Sequence, residues 1–396
     1  MNNTNASHSA DKKLNPGGRT ARDHSLDLLK GVACVLMLLA HTHLQIDLPS
    51  KAVTFFGNFT PVLFFAVSGI TANFQARKYP VAGIMTTYIM IFLLGLSFAA
   101  MVAGNFWATF NMDILQIIAV GVLILYLVQR YLAPGYWFHL GAAGAVFAIK
   151  LATDVLPRDT SWMGYLQNIL LEPGNFVVIP WLFPFFLGMF CHLAPNRYNL
   201  WLAGSATLVM GLMLASGIPL GVDNRWDMST GYFLFSLLLT SSAFYVARWL
   251  PQSIIPRAFG WLLWLGKNSL LFLYVHMGVI WIVREYTHGI WESYLVWPVV
   301  SLASISLMWS LPPLLNTLRI PALMAHLPAW AGLTALILAA PLLLPAGAPL
   351  VLTEFALGLV FALYYVSLTH ALKHLSWPAS PYKSAGNFKD KVKSGA

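Results

Sequence analysis

The stretch SLDLLKGVACVLMLLAH, residues 25–41, is an apolar run in which a lysine, Lys30, and a histidine, His41, lie eleven positions apart. A charged or titratable side chain at membrane depth is costly, so it usually faces a protein interior or a wet cavity and marks a functional path. Eleven helical residues span roughly 16 Å, about half the hydrocarbon thickness. We therefore expect Lys30 to lie near one membrane surface and His41 to lie beyond the midplane.

Composition indicates the class of the whole chain. Of the 396 residues, 58% are apolar and only 9% are charged, and the mean hydropathy is +0.68. Lipid is the main solvent of such a chain. The apolar runs are far longer than the strands of a transmembrane barrel, which have roughly ten residues. We predict an all-α, polytopic transmembrane bundle of about ten to twelve helices, and thus an integral membrane protein.

Apolar runs long enough to cross a bilayer as a helix, about twenty residues, divide the sequence. They lie at 26–46, 53–76, 80–103, 111–132, 135–153, 175–194, 199–219, 229–250, 258–283, 291–316, 328–347 and 349–372. The fifth and the eleventh are the weakest. We predict a disordered cytoplasmic tail over residues 1–24, a transmembrane domain over 25–375 and a basic cytoplasmic tail over 376–396.

The distribution of Lys and Arg predicts the orientation, because cytoplasmic loops carry an excess of both. With the N-terminus in the cytoplasm, most of these residues in the loops and tails fall on the cytoplasmic side, which predicts that both termini are cytoplasmic. The net charge of +9 then reflects topology and contact with anionic membrane lipids. We expect no binding to nucleic acid.

Three polar sites fall at one depth in this topology. His41 lies at the outer end of the first run, Asp113 begins the fourth run outside, and His276 lies in the ninth, WLLWLGKNSLLFLYVHMGVIW. We expect them to share a cavity in the outer half of the membrane with Gln116. The cations expected at the inner mouth of this cavity are Lys30, Lys267, Arg77 and Lys78.

Five blocks, in order along residues 25–276, carry a family resemblance. They are the opening stretch, FTPVLFFAVSGITANFQARK (59–78), DILQIIAVG (113–121), PWLFPFFLGMF (180–190) and LGKNSLLFLYVH (265–276). Together they resemble the transmembrane acyltransferase superfamily, in the bacterial branch related to heparan-α-glucosaminide N-acetyltransferase. A basic residue, ten residues and a histidine recur in the first helix of that superfamily, and Lys30 and His41 fit this spacing.

The resemblance implies transfer of an acyl group, commonly acetyl from acetyl-coenzyme A, to a carbohydrate or glycan acceptor. The acyl-coenzyme A donor would enter from the cytoplasm and the acceptor from the other side of a bacterial inner membrane. Lys30 stands where Arg is common, so it would contact phosphate as a point charge. The sequence has no metal-ligand spacing, so we expect no metal, and it carries no signal for an oligomeric state. The residues expected to bind the donor are Lys30, Lys267, Arg77, Lys78, Asn268 and Ser269. Asn268 and Ser269 could donate hydrogen bonds to the thioester oxygen.

Histidine suits this chemistry because its pKa lets it remove a proton near neutral pH. His41 is the candidate general base, and His276 is a second catalytic candidate. Asp113 or Asp47 could hold the imidazole tautomer, while Asp47 and Gln116 are candidates for binding the acceptor. An acyl-histidine intermediate is the alternative to direct transfer. Asp113 also opens a helix, where capping alone explains a carboxylate.

A secondary transporter or flippase is the alternative function. Buried His, Asp and Lys in a twelve-helix protein would be equally natural there. Halves with matching hydropathy would favour a transporter, and we find no such internal repeat in the sequence. A structural or lipid-sorting membrane protein would not explain the spacing of Lys30 and His41.

Overall fold

The computed structural model of the protein describes residues 23–42, 51–105, 112–153, 170, 176–222 and 228–372, with the backbone alone at 51–56 and 369–371. Every regular element in these ranges is a helix. The all-α, polytopic class is therefore confirmed. Asp47 lies outside the described residues, as do nearly all of both predicted tails. The predicted cytoplasmic location of the termini stays a prediction.

The helices are numbered in chain order through the described ranges. The first eight are α1 (His24–Thr42), α2 (Lys51–Lys78), α3 (Val81–Ala103), α4 (Ile114–Tyr131), α5 (Tyr136–Thr153), α6 (Val178–Leu193), α7 (Asn196–Ala215) and α8 (Thr230–Trp249). The others are α9 (Ile255–Ala258), α10 (Gly260–Lys267), α11 (Ser269–Tyr286), α12 (His288–Trp291), α13 (Val296–Thr317), α14 (Ile320–Leu323), α15 (Leu327–Leu343) and α16 (Ala348–Ala371).

Nine helices in the described part of the chain are at least 18 residues long and apolar enough to cross a membrane. They are α1, α2, α3, α4, α7, α8, α11, α13 and α16. Two further apolar helices, α6 and α15, are shorter. The fifth predicted run forms α5, which contains His139 and Lys150 and falls outside the nine. The fifth and eleventh runs, predicted to be the weakest, thus both fall outside the nine, and the sixth run, which forms α6, does so as well.

The ninth run is not the single helix predicted over 258–283. It forms α9, α10 and α11, which are separated at Phe259 and Asn268. Asn268 has φ −107° and ψ 27°, and its side-chain amide donates to the carbonyl of Trp264 at 2.8 Å. An asparagine side chain that bonds a nearby carbonyl competes with the backbone hydrogen bonds that would continue the helix. The helix break therefore lies beside Lys267 and Ser269.

Helix α2 forms the centre of the bundle. In its apolar span 83% of the residues are buried, against 17% in α7. It packs on α1, α4 and α6. The contact with α6 is close because Gly188 has no side chain: an added Cβ would lie 2.1 Å from the carbonyl oxygen of Ala66. Small residues let membrane helices approach backbone to backbone.

Helices α1 and α10 meet in the same way. An added Cβ at Gly31 would lie 2.1 Å from the carbonyl oxygen of Leu262, and one at Gly266 would lie 2.0 Å from that of Asp27. Lys30 precedes the first glycine and Lys267 follows the second. The close contact therefore brings the backbones of these two lysines together.

Candidate active site

His41 and His276 are hydrogen-bonded to each other. Nδ1 of His41 lies 3.0 Å from Nε2 of His276, and the two rings are nearly parallel, with an interplanar angle of 13°. His276 is 0% exposed. Its ring also stacks on Phe272, with 4.9 Å between centroids. Helices α1 and α11 thus join the two histidines predicted from the sequence, and packing fixes the orientation of the His276 ring.

A backbone carbonyl defines the protonation pattern of this pair. Nδ1 of His276 lies 2.7 Å from the carbonyl oxygen of Phe272, one helical turn earlier. A carbonyl oxygen can only accept, so Nδ1 of His276 carries the proton and its Nε2 is the acceptor. Nδ1 of His41 then donates to that nitrogen. This tautomer places the basic lone pair of His41 on Nε2.

His41 lines a cavity of about 300 Å³. The cavity lies where α1 ends and where α2 and α4 begin, and its wall includes Asp113, Thr60 and Phe98. Small-molecule pockets measure roughly 300–1,000 Å³, so this one is at the small end of the range. The structure therefore brings His41 and Asp113 to one cavity, with His276 directly behind His41.

Asp113 has a structural role at this cavity. It is the N-cap of α4, its carboxylate accepts the N–H of Ile114 at 2.6 Å, and its own N–H donates to Oε1 of Gln116 at 2.5 Å. Its carboxylate also accepts the backbone N–H of Gln116, and this reciprocal pair of bonds with Gln116 is a capping box. Asp113 precedes the membrane-length helix, and burial raises the pKa of its carboxyl from 3.8 to about 6, while the hydrogen bond from Ile114 opposes the shift. It lines the cavity as a carboxyl that can gain or lose a proton near neutral pH.

Gln116 is buried and fully engaged in local packing. Its Oε1 bonds the backbone of Asp113, and an added Cβ at Gly95 of α3 would lie 2.7 Å from its Cγ. Its expected contact with the acceptor stays a prediction. Nδ1 of His41 bonds the His276 imidazole, which α11 presents at that position. The orienting role expected of Asp113 or Asp47 stays a prediction.

The residues expected to bind the donor lie further from His41. Lys30 is half-buried and Lys267 is exposed, next to the α1–α10 contact. Asn268 and Ser269 precede His276 by eight and seven residues, or roughly 11–12 Å of helix. An oxyanion donor must lie about 3 Å from the reacting oxygen. The expected hydrogen bond from Asn268 or Ser269 to the thioester oxygen stays a prediction.

A second cavity, of about 420 Å³, lies at the opposite ends of α2 and α4. Its wall includes Asn73, Arg77, Gln129 and Arg130. Nη1 of Arg130 donates to the carbonyl of Ala76 at 2.9 Å, so this guanidinium caps the C-terminus of α2. Arg77 lines the cavity with an exposed side chain.

Lys78, the other cation expected at this end of α2, lies at the surface. Its Nζ is 5.4 Å from the ring centroid of Tyr79. The cavities around His41 and Arg77 have no lining residue in common, and α2 between them is buried. A continuous path for the donor from the inner end to His41 stays a prediction.

Sequence reasoning missed several parts of this site. It did not identify the carbonyl of Phe272, which determines the histidine tautomer, or Phe98 and Thr60 in the cavity wall. Backbone groups carry no sequence signal of their own. The spacing of Phe272 and His276, four residues apart on a helix, was the available indication of a local bond. In the described part of the chain, no group of three His, Cys, Asp or Glu side chains could hold a metal ion.

Comparison with known proteins agrees with the resemblance seen in the sequence. No curated protein and no solved structure matches the chain. Residues 23–313, more than half of the chain, match the acyltransferase domain family of the acyltransferase-3 type. That segment includes the helices that carry His41, Asp113 and His276. The chain is therefore a member of this family of membrane acyltransferases.

Proposed function

We propose that the protein moves an acyl group, acetyl in the simplest case, from cytoplasmic acyl-coenzyme A to a carbohydrate or glycan acceptor at the outer side of a bacterial inner membrane. The observation that carries the proposal is the chain from the Phe272 carbonyl through His276 to His41 in the wall of a cavity. An acyltransferase needs a base that removes the acceptor's proton during attack. Nε2 of His41 is that base.

His41 alone can accept and return the one proton that the transfer step moves. Nε2 takes the proton of an acceptor hydroxyl or amine while that oxygen or nitrogen attacks the thioester carbonyl, and the C–S bond then breaks. His41 returns the proton to the departing thiolate. His276 accepts the Nδ1–H of His41 and so stabilises the imidazolium that exists between the two proton transfers. In the stepwise alternative, Nε2 attacks the thioester carbonyl, the C–S bond breaks and coenzyme A leaves as the thiolate. The acceptor then attacks the resulting acyl-imidazole, the C–N bond breaks, and the acceptor's proton returns to the imidazole.

The donor is proposed to bind along the inner half of the bundle. Its phosphates are anionic, and cations bind phosphate through charge-assisted hydrogen bonds. Lys30 and Lys267 each adjoin a glycine of the α1–α10 contact, and Arg77 lines the cavity at the end of α2. Asn268 and Ser269 lie between these cations and the histidines in depth. Lys78 is also proposed to bind the donor. Asp47 is proposed to bind the acceptor.

The direct test is thiol release from acetyl-coenzyme A by the purified protein in nanodiscs, with a panel of monosaccharides and disaccharides as acceptors. We expect acceptor-dependent release of free thiol, and we expect His41→Ala to lower it by roughly 10²–10⁴-fold. His326→Ala is the matched control, because His326 is exposed and far from the cavity in sequence. Turnover retained by a folded His41→Ala protein would remove His41 from the mechanism.

The same assay separates the alternatives. A transporter would leave the thioester intact. Without an acceptor, a burst of one thiol per protein indicates the acyl-histidine route, and absence of a burst indicates direct transfer. Mass spectrometry of cell-envelope glycans with and without the protein would then identify the acceptor, since the acylated glycan gains the mass of one acyl group.

A further inference from the structure

Glu354 is a carboxylic side chain inside the bundle that the proposed transfer does not use. It lies on α16, seven residues into the helix, and is 0% exposed. It also lies beyond residues 23–313, the segment that matches the family. An ionisable residue at membrane depth marks a functional site more often than a structural one. Its surroundings therefore indicate what it does.

Ser97 of α3 is the hydrogen-bond partner of Glu354. Oγ of Ser97 donates to Oε2 of Glu354 at 2.5 Å, and Ser97 is also 0% exposed. Oε1 of Glu354 is buried and has no hydrogen-bond partner within the described residues. A hydroxyl and a protonated carboxyl can each be the donor across such a contact. The pair therefore accommodates a proton on either oxygen atom.

The helices packed against α16 bring no cation to Glu354. These helices are α3, α11 and α15. Arg284 of α11 is exposed and ten residues beyond Tyr274, or roughly 15 Å along the helix. An ionised carboxylate here would be an unpaired charge in a medium of low dielectric, which is strongly unfavourable. The titratable side chains on these helices and on α16 itself are Tyr88, Tyr274, His276, Arg284, Glu285, Tyr286, Tyr364, Tyr365 and His370.

Two glycines hold α16 closely against α11. An added Cβ at Gly358 would lie 2.0 Å from the ring of Tyr274, and one at Gly278 would lie 2.3 Å from the ring of Phe355. Each glycine thus accepts an aromatic ring from the other helix. This interlocking holds the part of α16 that carries Glu354 against the part of α11 that carries Tyr274.

Tyr274 connects Glu354 to the cavity of His41. Its hydroxyl donates to the carbonyl of Leu94 at 2.9 Å. Ser97 lies within bonding range of this hydroxyl, and the Glu354 and Asp113 carboxyls are near enough to interact with it electrostatically. Its ring also meets Phe98 edge to face, with 5.3 Å between centroids. Phe98 and Asp113 both line the cavity. A short series of polar groups therefore leads from the buried carboxyl to the cavity wall.

We propose that Glu354 is a proton-binding site: it is a neutral carboxylic acid in the resting protein, and it exchanges its proton with the cavity through Ser97 and Tyr274. In one exchange the O–H bond of Glu354 breaks and a new one forms on Ser97. The proton of Ser97 passes to the Tyr274 oxygen, the phenolic proton passes to water in the cavity, and that water protonates the Asp113 carboxylate. The products are ionised Glu354 and protonated Asp113, and the reverse sequence restores both.

Asp113 is suited to the other end of this exchange. It lies at the N-terminus of α4, outside the membrane-length helix, and burial raises the pKa of its carboxyl to about 6. Near neutral pH it is therefore mostly ionised but close to its midpoint, so it can accept a proton. The site gives the cavity a store of one proton that is separated from solvent by packed side chains.

Infrared difference spectroscopy tests the resting state. Wild-type protein and Glu354→Gln are compared in nanodiscs at neutral pH, where glutamine keeps the shape and the hydrogen bond to Ser97. We expect the difference spectrum to contain the C=O stretch of a protonated carboxylic acid, shifted to lower frequency after transfer to D₂O. A carboxylate band in its place would overturn the proposal. This readout needs no turnover, so it stands apart from the acyl-transfer proposal.

The rate at which that band shifts in D₂O tests the path. Tyr274→Phe removes the phenolic hydroxyl, and we expect the exchange to slow about tenfold or more. Tyr88→Phe is the matched control, since Tyr88 is also buried on a neighbouring helix and its hydroxyl bonds Gln75 at 3.0 Å. Ser97→Ala interrupts the path at a second point and should slow exchange as well. Equal rates in wild type, Ser97→Ala and Tyr274→Phe would overturn the connection to the cavity.

Discussion

The two ends of α2 carry different chemistry. At the end that begins near Gly57, the cavity wall holds an imidazole and a carboxyl, His41 and Asp113. At the end near Lys78, the cavity wall holds two guanidinium groups, Arg77 and Arg130. The first set can exchange protons near neutral pH, while guanidinium groups stay charged at all such pH values. One end is suited to acid–base catalysis, and the other is suited to binding a ligand with permanent negative charge.

The difference matches the two halves of the proposed transfer reaction. A donor with phosphate groups requires fixed positive charge, whereas the reacting atoms require a group that gains and loses a proton. The predicted topology assigns the guanidinium end to the cytoplasm and the imidazole end to the outer half of the membrane. Each prediction below changes one end and leaves the other intact.

The largest effect is expected at the imidazole end, from His276→Phe. Phenylalanine fills a similar volume but cannot accept the Nδ1–H of His41, so the tautomer with its lone pair on Nε2 loses its support. We expect the turnover for thiol release to fall about 100-fold, with little change in the donor KM. Steady-state kinetics in nanodiscs measures both quantities.

His276→Gln provides the matched comparison. The glutamine side-chain oxygen can accept the same hydrogen bond, so turnover should recover by at least about tenfold over His276→Phe. A purely structural role for His276 predicts equal turnover in the two variants. That result would leave His41 without the proposed positioning group.

At the guanidinium end, Arg77→Met and Arg130→Met should separate binding from stability. Arg77 lines the cavity with an exposed side chain, so its loss should raise the donor KM about tenfold at unchanged turnover number. Arg130 caps α2 through the carbonyl of Ala76, so its loss should lower the free energy of unfolding by about 1 kcal/mol. KM measurements and thermal unfolding, made on both variants, check the pair.

Exchange of the two phenotypes would be informative. If Arg130→Met raised the KM and Arg77→Met lowered the unfolding midpoint, the cavity would still bind the donor, but through the other guanidinium. If neither variant changed the KM, the donor site would have to lie nearer to Lys30 and Lys267.

Much of the fold could be predicted because lipid imposes a simple rule on sequence. Long apolar runs must form helices that satisfy their own backbone groups, and each predicted run corresponds to a helix or to neighbouring helices. Spacing along a helix gives depth, so His41 and His276 could be expected at one level. Gly31 and Gly266 allow the close contact between α1 and α10, as small residues commonly do in membrane helices.

Contacts between helices could not be predicted, because hydropathy indicates how deep a residue lies in the membrane but not which helices are adjacent. The bond between His41 and His276 depends on which faces of α1 and α11 meet. The interruption at Asn268 depends on a local bond to Trp264 that competes with the helix. Glu354 did carry a signal, as a single acid within the apolar run 349–372, but its partner Ser97 lies 257 residues away.

The smallest effect is expected from Asp113→Asn, through the pH dependence of stability. Burial raises the pKa of this carboxyl from 3.8 to about 6, so the folded protein binds the proton more tightly than the unfolded chain. The resulting stabilisation is full below a pH of about 4 and is lost as the pH rises through about 6. Asparagine is neutral at every pH and caps α4 equally well.

Thermal unfolding at about pH 5 and about pH 7 measures this difference. Relative to Asp113→Asn, wild type should lose stability between the two values. Asp113→Ala is the control for the cap itself and should be less stable than Asp113→Asn by about 1 kcal/mol at both values. Parallel behaviour of wild type and Asp113→Asn would mean that the carboxyl keeps its ordinary affinity for protons. Asp113 would then act at the imidazole end as a fixed negative charge beside His41, and the contrast between the two ends of α2 would rest on the histidines alone.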